Sequence, residues 1–145
     1  PYGKPWVIRN PHSVRPWQHV LEPVAGYLML AERLYQGGNE WASGWNFGPS
    51  ADQATTVTTL SEIIIQHWGN GEVEITPNTV APHEQKTLVL NSDKAHRELG
   101  WHACLSLDTA IQMTVAWYQK ALSPASNSTM LDFTIQQIHD YEKGY

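Results

Sequence analysis

The residues best equipped for chemistry lie in one stretch, Val14-Arg15-Pro16-Trp17-Gln18-His19-Val20-Leu21-Glu22-Pro23-Val24. It joins a guanidinium, a stiffening proline, a large aromatic and a histidine to the start of the longest apolar helical pattern in the chain. A guanidinium forks two oxygens at once and a helix start presents unpaired backbone N–H groups, so Arg15 at such a corner suits an anion such as a diphosphate. The competing structural reading is a loop clasp in which Arg15 and Trp17 only fasten the chain. A second address is Pro82-His83-Glu84, a loop between two strand signals, where a carboxylate would accept from two hydroxyls. A solvated loop acid explains Glu84 equally well.

Other chemistries find no support. There is no Gly-rich dinucleotide fingerprint after a strand, no Walker loop, no His-Glu-x-x-His and no Gly-x-Ser-x-Gly. His83 with Glu84, and His96 with His102, come nearest to metal-ligand spacing, but no pair sits at i, i+4 on a predicted helix, so no metal site is expected. His67 near a helix end is better explained by the helix dipole. The net charge is −5 and no basic run exceeds one residue, which argues against nucleic acid as a partner. An acidic chain holds phosphate only through locally placed cations, so its four arginines, Arg9, Arg15, Arg33 and Arg97, become informative. Cys104 is the single cysteine, which fits a reducing cytoplasm, and no apolar run reaches the ~20 residues that span a bilayer.

The 145 residues, 41% hydrophobic, suffice for one domain with a core of its own. Trp6-Val7-Ile8-Arg9, bracketed by Pro5 and Asn10-Pro11, reads as a strand that delivers Arg9 and Asn10 beside Arg15. Apolar residues from Val20 to Tyr35 recur at helical spacing, Pro23 falls in the permitted first turn, and Gly37-Gly38 is the stop. Gly44-Trp45-Asn46-Phe47-Gly48-Pro49 alternates like a short strand leading into a loop. Thr59 with Glu62 forms a capping box for a helix through Leu60, Ile64 and Trp68, closed by Gly69. Glu72–Thr76 alternates as a strand, Thr87–Leu90 is a short extended run, and Ser92 caps a short helix from Asp93 to Leu99. Ser106 caps a helix of about four turns carrying Leu107, Ile111, Val115 and Tyr118. Residues 123–129 read as a linker, and Thr134 with Gln137 caps a last helix. Strands alternating with about five helices give an α/β fold in one domain over 1–145.

Taken together, Ile8-Arg9-Asn10-Pro11, Arg15-Pro16-Trp17-Gln18-His19-Val20, Gly44-Trp45-Asn46-Phe47-Gly48-Pro49, Pro82-His83-Glu84 and Leu99-Gly100-Trp101 resemble the C-terminal part of the CDP-glucose 4,6-dehydratase branch of extended short-chain dehydrogenases/reductases. The resemblance runs over nearly the whole chain. It implies a lyase that uses NAD to oxidise C4 of the sugar, loses water across C5 and C6 and returns the hydride to C6, in the biosynthesis of lipopolysaccharide sugars. In that family the N-terminal half holds NAD and the catalytic Tyr-x-x-x-Lys. No tyrosine here is followed four residues on by lysine, so no catalytic residue and no cofactor are expected in this chain.

What the resemblance implies for this portion is recognition of a CDP-sugar or related nucleotide sugar. Val7, Ile8 and Arg9 would lie along the base, Arg15 would bind the diphosphate and Glu84 would reach the ribose. Related epimerases place a second phosphate-binding arginine just before the proline of the later loop; here Ala81 stands there, and His83 is the candidate substitute. The chain opens on Pro1 rather than Met, so it is expected to begin mid-protein. The expected protein is cytoplasmic, with no nucleic-acid or membrane partner. It either pairs as a homodimer through the apolar helix after Arg15 or associates with a separate N-terminal half. A stand-alone, non-catalytic binding or accessory protein and a stable non-functional remnant are the other classes open at this point.

Overall fold

The computed structural model describes residues 5–76, 85–123 and 127–144. Four strands, β1 (Trp6–Ile8), β2 (Val14–Arg15), β3 (Thr55–Thr56) and β4 (Val73–Ile75), alternate with four α-helices. The helices are α1 (Leu21–Gly37), α2 (Val57–Trp68), α3 (Leu107–Leu122) and α4 (Asn127–Glu142), and a π-helical turn spans Ala95–Leu99. β1 and β4 pair in parallel, with Trp6 opposite Val73 and Ile8 opposite Ile75. Parallel neighbours need a crossover, and α2 supplies it. β2 and β3 form a separate antiparallel pair, Val14 opposite Thr56 and Arg15 opposite Thr55. The run predicted at Thr87–Leu90 touches this pair at one bridge, Val14 with Thr87, flanked by Val14 N–H to the Lys86 carbonyl at 2.8 Å.

α1 begins and ends where its periodicity predicts, and Gly38 at φ 68° accepts the turn that stops it. Glu22 and Gly26 are its buried residues. Gly26 is needed for close approach: a Cβ there would lie 2.3 Å from the Phe47 ring. Phe47 continues into a cluster with Ala95, Leu99 and Trp101, its ring edge-on to Trp101 at 5.1 Å. Burying side chains of this size stabilises by roughly 1.5–3 kcal/mol each, which makes this cluster the main anchor of α1. A second cluster, Leu105, Ala110 and Met113, is joined by Leu21 and Tyr141 and ties α3 to both ends of the chain.

Several local expectations are corrected. The stretch Gly44–Pro49 forms no strand; its Phe47, Gly48 and Pro49 are buried, and the Gly48 N–H donates to Ser92 Oγ at 2.8 Å. That bond also displaces Ser92 from capping: the Asp93 N–H donates instead to Asn91 Oδ1 at 2.9 Å, and the helix that follows winds as a π turn up to Gly100. α2 is capped by Thr56, not Thr59, because Ser13 and Pro11 offer carbonyls to the amides of Val57 and Thr58 and so let the helix start earlier. Thr134 and Gln137 sit inside α4, which starts at Asn127 within the expected linker. They are used laterally: the Trp117 indole donates to Thr134 Oγ1 at 3.0 Å and Gln137 Nε2 to the Met113 carbonyl at 2.8 Å. Ser106 caps α3 as expected, accepting from the Thr109 N–H at 3.1 Å. His67 pairs through Nε2 with Asp108 Oδ1 at 2.9 Å, a partner the dipole argument did not supply.

Candidate functional site

The stretch from Arg15 to Glu22 is held at several points, each by a side chain reaching a distant part of the chain. Arg15 closes β2, and its Nη1 donates to the Val14 carbonyl at 2.8 Å. The Trp17 indole donates to the Thr55 carbonyl at 3.3 Å, and Gln18 Nε2 donates to the Phe47 carbonyl at 2.8 Å. His19 is buried, and its Nδ1 accepts from the Leu21 N–H at 3.3 Å. Burial lowers the His19 pKa, against a smaller opposing pull from Glu22, so the ring is held neutral with its proton on Nε2.

The helix start is not the anion site that the sequence suggests. In the first turn of α1 the amide of Leu21 goes to His19 Nδ1, that of Glu22 to the His19 carbonyl, and that of Val24 to the Val20 carbonyl. Pro23 has no N–H to give. Glu22 adds a carboxylate to the same turn, where it already meets the helix dipole. The start of α2 is also occupied, since Val57, Thr58 and Thr59 donate to Ser13, Pro11 and Thr56. Neither helix start therefore offers a free first-turn amide to an anion at Arg15.

The other expected ligand contacts fall as follows. Val7 and Arg9 are exposed on β1 and just beyond it, while Ile8 faces the core. Arg9 and Arg15 end two different two-stranded sheets, linked by the turn in which the Ser13 N–H donates to the Asn10 carbonyl at 3.2 Å. His83 and Glu84 lie outside the described residues. Among the described residues no group of three His, Cys, Asp or Glu side chains is arranged to hold a metal. His96 and His102 stack ring on ring at 4.6 Å.

Glu22 is the residue whose role went unread. Only 1% of it is exposed. One carboxylate oxygen accepts from the amides of Cys104 at 3.0 Å and Leu105 at 2.7 Å, the other from the Tyr141 hydroxyl at 2.9 Å, and the Trp101 indole donates to its backbone carbonyl at 3.1 Å. Burial and this hydrogen bond to Glu22 push the Tyr141 phenol far up, and burial with the Glu22 charge pushes the Cys104 thiol up as well. The cluster is a clamp holding neutral donors around one buried anion. Its signal in the sequence is a carboxylate set inside the apolar run Val20-Leu21-Glu22-Pro23-Val24.

The fold built by these elements is shared with part of two longer chains of known structure. It superposes on UDP-glucose 4-epimerase from Thermotoga maritima, solved with UDP-glucose, with a TM-score of 0.67 and 24% identity, over 83% of this chain and 37% of that one. It superposes on dTDP-glucose 4,6-dehydratase from Bacillus anthracis, solved with NAD, with a TM-score of 0.63 and 21% identity, over 83% and 36%. In sequence the chain is a relative of the C-terminal part of CDP-glucose 4,6-dehydratase: it is 38% identical over 135 residues to that of Salmonella typhimurium, which is 93% of this chain and 37% of the enzyme. UDP-glucose 4-epimerase of Rhizobium leguminosarum bv. trifolii is 28% identical over 128 residues, 83% of this chain and 35% of the relative. No protein-family model matches the chain. The chain thus spans little more than a third of the length of the curated relatives it matches.

Proposed function

We propose that this chain is the nucleotide-sugar-binding portion of a CDP-glucose 4,6-dehydratase-like protein and carries no catalytic residue of its own. The observation that supports this most is the 38% identity that extends over 93% of the chain, through the Arg15 stretch, while falling within the C-terminal part of the relative. In this reading Val7, Ile8 and Arg9 run beside the base, Arg15 forks the diphosphate, His83 assists it and Glu84 accepts from the ribose hydroxyls. Exposed Val7 on β1, Arg9 just beyond it and Arg15 on β2 are consistent with such a strip. No NAD site is expected in this chain: the sequence carries no Gly-rich dinucleotide fingerprint, and among the described residues the first-turn amides of α1 and α2 are already used. The chain alone is therefore expected to leave CDP-glucose unreacted, and a reducing cytoplasm remains the compartment that one unpaired Cys104 suits.

Val20, just before α1, is 65% exposed, and Tyr27, Leu28 and Tyr35 on α1 are 60%, 67% and 93% exposed. Ile111 and Val115 of α3 are buried, and α3 packs on α2. A second copy of the chain, in a two-fold pair of α1 helices, is the occupant favoured by this self-complementary apolar stripe. Titration calorimetry with CDP-glucose tests the binding reading. Arg15→Ala is expected to weaken binding by about 10-fold or more, the loss of a charge-assisted bidentate contact of roughly 1.5–3 kcal/mol. Equal affinity in the two proteins removes Arg15 from the site.

A further inference from the structure

The link from α2 to β4, residues 69–72, holds Asn70-Gly71, the one place in the chain where glycine follows an asparagine. Both residues are exposed. Gly71 has a φ of 144°, which L side chains rarely adopt, and a Cβ built on it would lie 3.2 Å from Ile65 Cγ1. The link therefore demands glycine, and glycine leaves the backbone nitrogen after Asn70 with no side chain to shield it. The amides around it are committed: the Gly69 N–H donates to the Ile65 carbonyl at 2.9 Å, and the Trp6 N–H donates to the Glu72 carbonyl at 2.8 Å. Among the described residues the Gly71 N–H and the Asn70 side chain have no hydrogen-bond partner.

The other asparagines whose side chains are described lack this combination. Asn10 precedes Pro11, which has no N–H, and Asn39 precedes Glu40 inside a helical turn. Asn46 precedes buried Phe47, and its Nδ2 donates to the Asn91 carbonyl at 3.2 Å. Asn91 precedes buried Ser92, and Asp93 holds its amide at both ends, with the Asp93 N–H on Oδ1 at 2.9 Å and Nδ2 on Asp93 Oδ2 at 3.2 Å.

We propose that Asn70 is a site of spontaneous deamidation, and that its isoaspartyl product loosens β1 through Glu72. The Gly71 nitrogen gives its proton to water or hydroxide and attacks Asn70 Cγ. The N–Cγ bond forms, the Cγ–Nδ2 bond breaks, and the departing nitrogen takes up a proton and leaves as ammonia, closing a succinimide ring. Water adds to either ring carbonyl and opens the ring to aspartate or isoaspartate, so the sum is amide plus water to carboxylate plus ammonia, with nothing oxidised or reduced. Isoaspartate puts one more methylene into the main chain, two residues before the Glu72 carbonyl that receives the Trp6 N–H at the start of the β1–β4 pair. That shift lengthens or breaks the bond and frees the first residue of β1.

The test incubates the chain at mildly alkaline pH, folded in buffer and unfolded in guanidinium chloride, and locates the products by mass spectrometry with electron-transfer fragmentation, which separates aspartate from isoaspartate. Asn70 is expected to gain about one dalton at similar rates in the two samples, chiefly as isoaspartate, whereas Asn91 gains it only in the unfolded one. In the isoaspartyl fraction the Trp6 amide is expected to exchange its hydrogen faster than in Asn70→Asp, which adds the same charge but keeps the ordinary main chain. Asn70 left intact in the folded chain overturns the site, whatever happens to it in guanidinium chloride. Equal Trp6 exchange in the isoaspartyl and Asn70→Asp forms overturns the coupling to β1.

Discussion

The Tyr141 hydroxyl donates to the Glu22 carboxylate at 2.9 Å, joining the last helix to the first turn of α1 across almost the whole length of the chain. The same carboxylate holds the Leu105 amide, so one buried anion orders α1, the approach to α3 and the end of α4 together. The buried Leu105 amide is left without a partner if the carboxylate is lost, which makes the effect of substituting Glu22 larger than one ordinary hydrogen bond.

Tyr141→Phe is therefore expected to destabilise the chain by about 1.5–3 kcal/mol, and Glu22→Ala by more than Glu22→Gln, which keeps one acceptor. Urea denaturation measures the series, and unchanged midpoints would mean the clamp is not what orders α4. Because the Tyr141 pKa is raised in the fold, its contribution is complete below the ordinary phenol value of about 10 and is lost as the pH rises beyond it. Tyr141→Phe should remove that alkaline loss.

His19 acts in the opposite pH direction. Its pKa is lowered by burial, so the folded state binds its proton less readily than the unfolded chain does. The stabilisation is present above about pH 6.5 and lost as the pH falls, when a proton on Nδ1 evicts the Leu21 amide. Thermal unfolding between pH 7.5 and 5 should show this slope, and His19→Asn, which keeps a side-chain oxygen for the amide, should flatten it.

Gly26→Ala places a methyl into the Phe47 ring, against the cluster that anchors α1. A loss of about 1–3 kcal/mol is expected, the usual cost of overpacking a closed core. Adding Phe47→Leu should return part of it, since the two sites share one contact. A double mutant no better than the sum of the single changes would place the strain elsewhere.

The apolar face of α1 predicts concentration-dependent mass. Light scattering at low micromolar concentration is expected to find a dimer that Leu28→Lys converts to monomer, because the charge would be buried unpaired at the two-fold contact. A monomeric mass in both proteins removes the two-fold pairing, and a larger mass only on addition of a separate NAD-binding half assigns the face to that partner instead.

Local rules were enough for much of this molecule. The span of α1 followed from apolar spacing and Gly38, that of α3 from Ser106 and its periodicity, β1 from an apolar run bracketed by prolines, and β4 from alternation. The C-terminal kinship was legible in side chains that stand close together along the chain, from Arg9-Asn10-Pro11 to Leu99-Gly100-Trp101. Tertiary structure decided what those side chains do. Ser92, Thr59 and Thr134 each carry a plausible capping pattern, yet Ser92 is claimed by Gly48, Thr59 lies inside a helix that Thr56 caps, and Thr134 receives Trp117. The amides that made the start of α1 look like an anion site are spent on His19 and Val20. Glu22 finds its donors 79 to 119 residues away. Spacing along the chain sets local backbone geometry, but which donor meets which acceptor depends on segments brought together only when the core closes, and there the buried groups are compelled to pair.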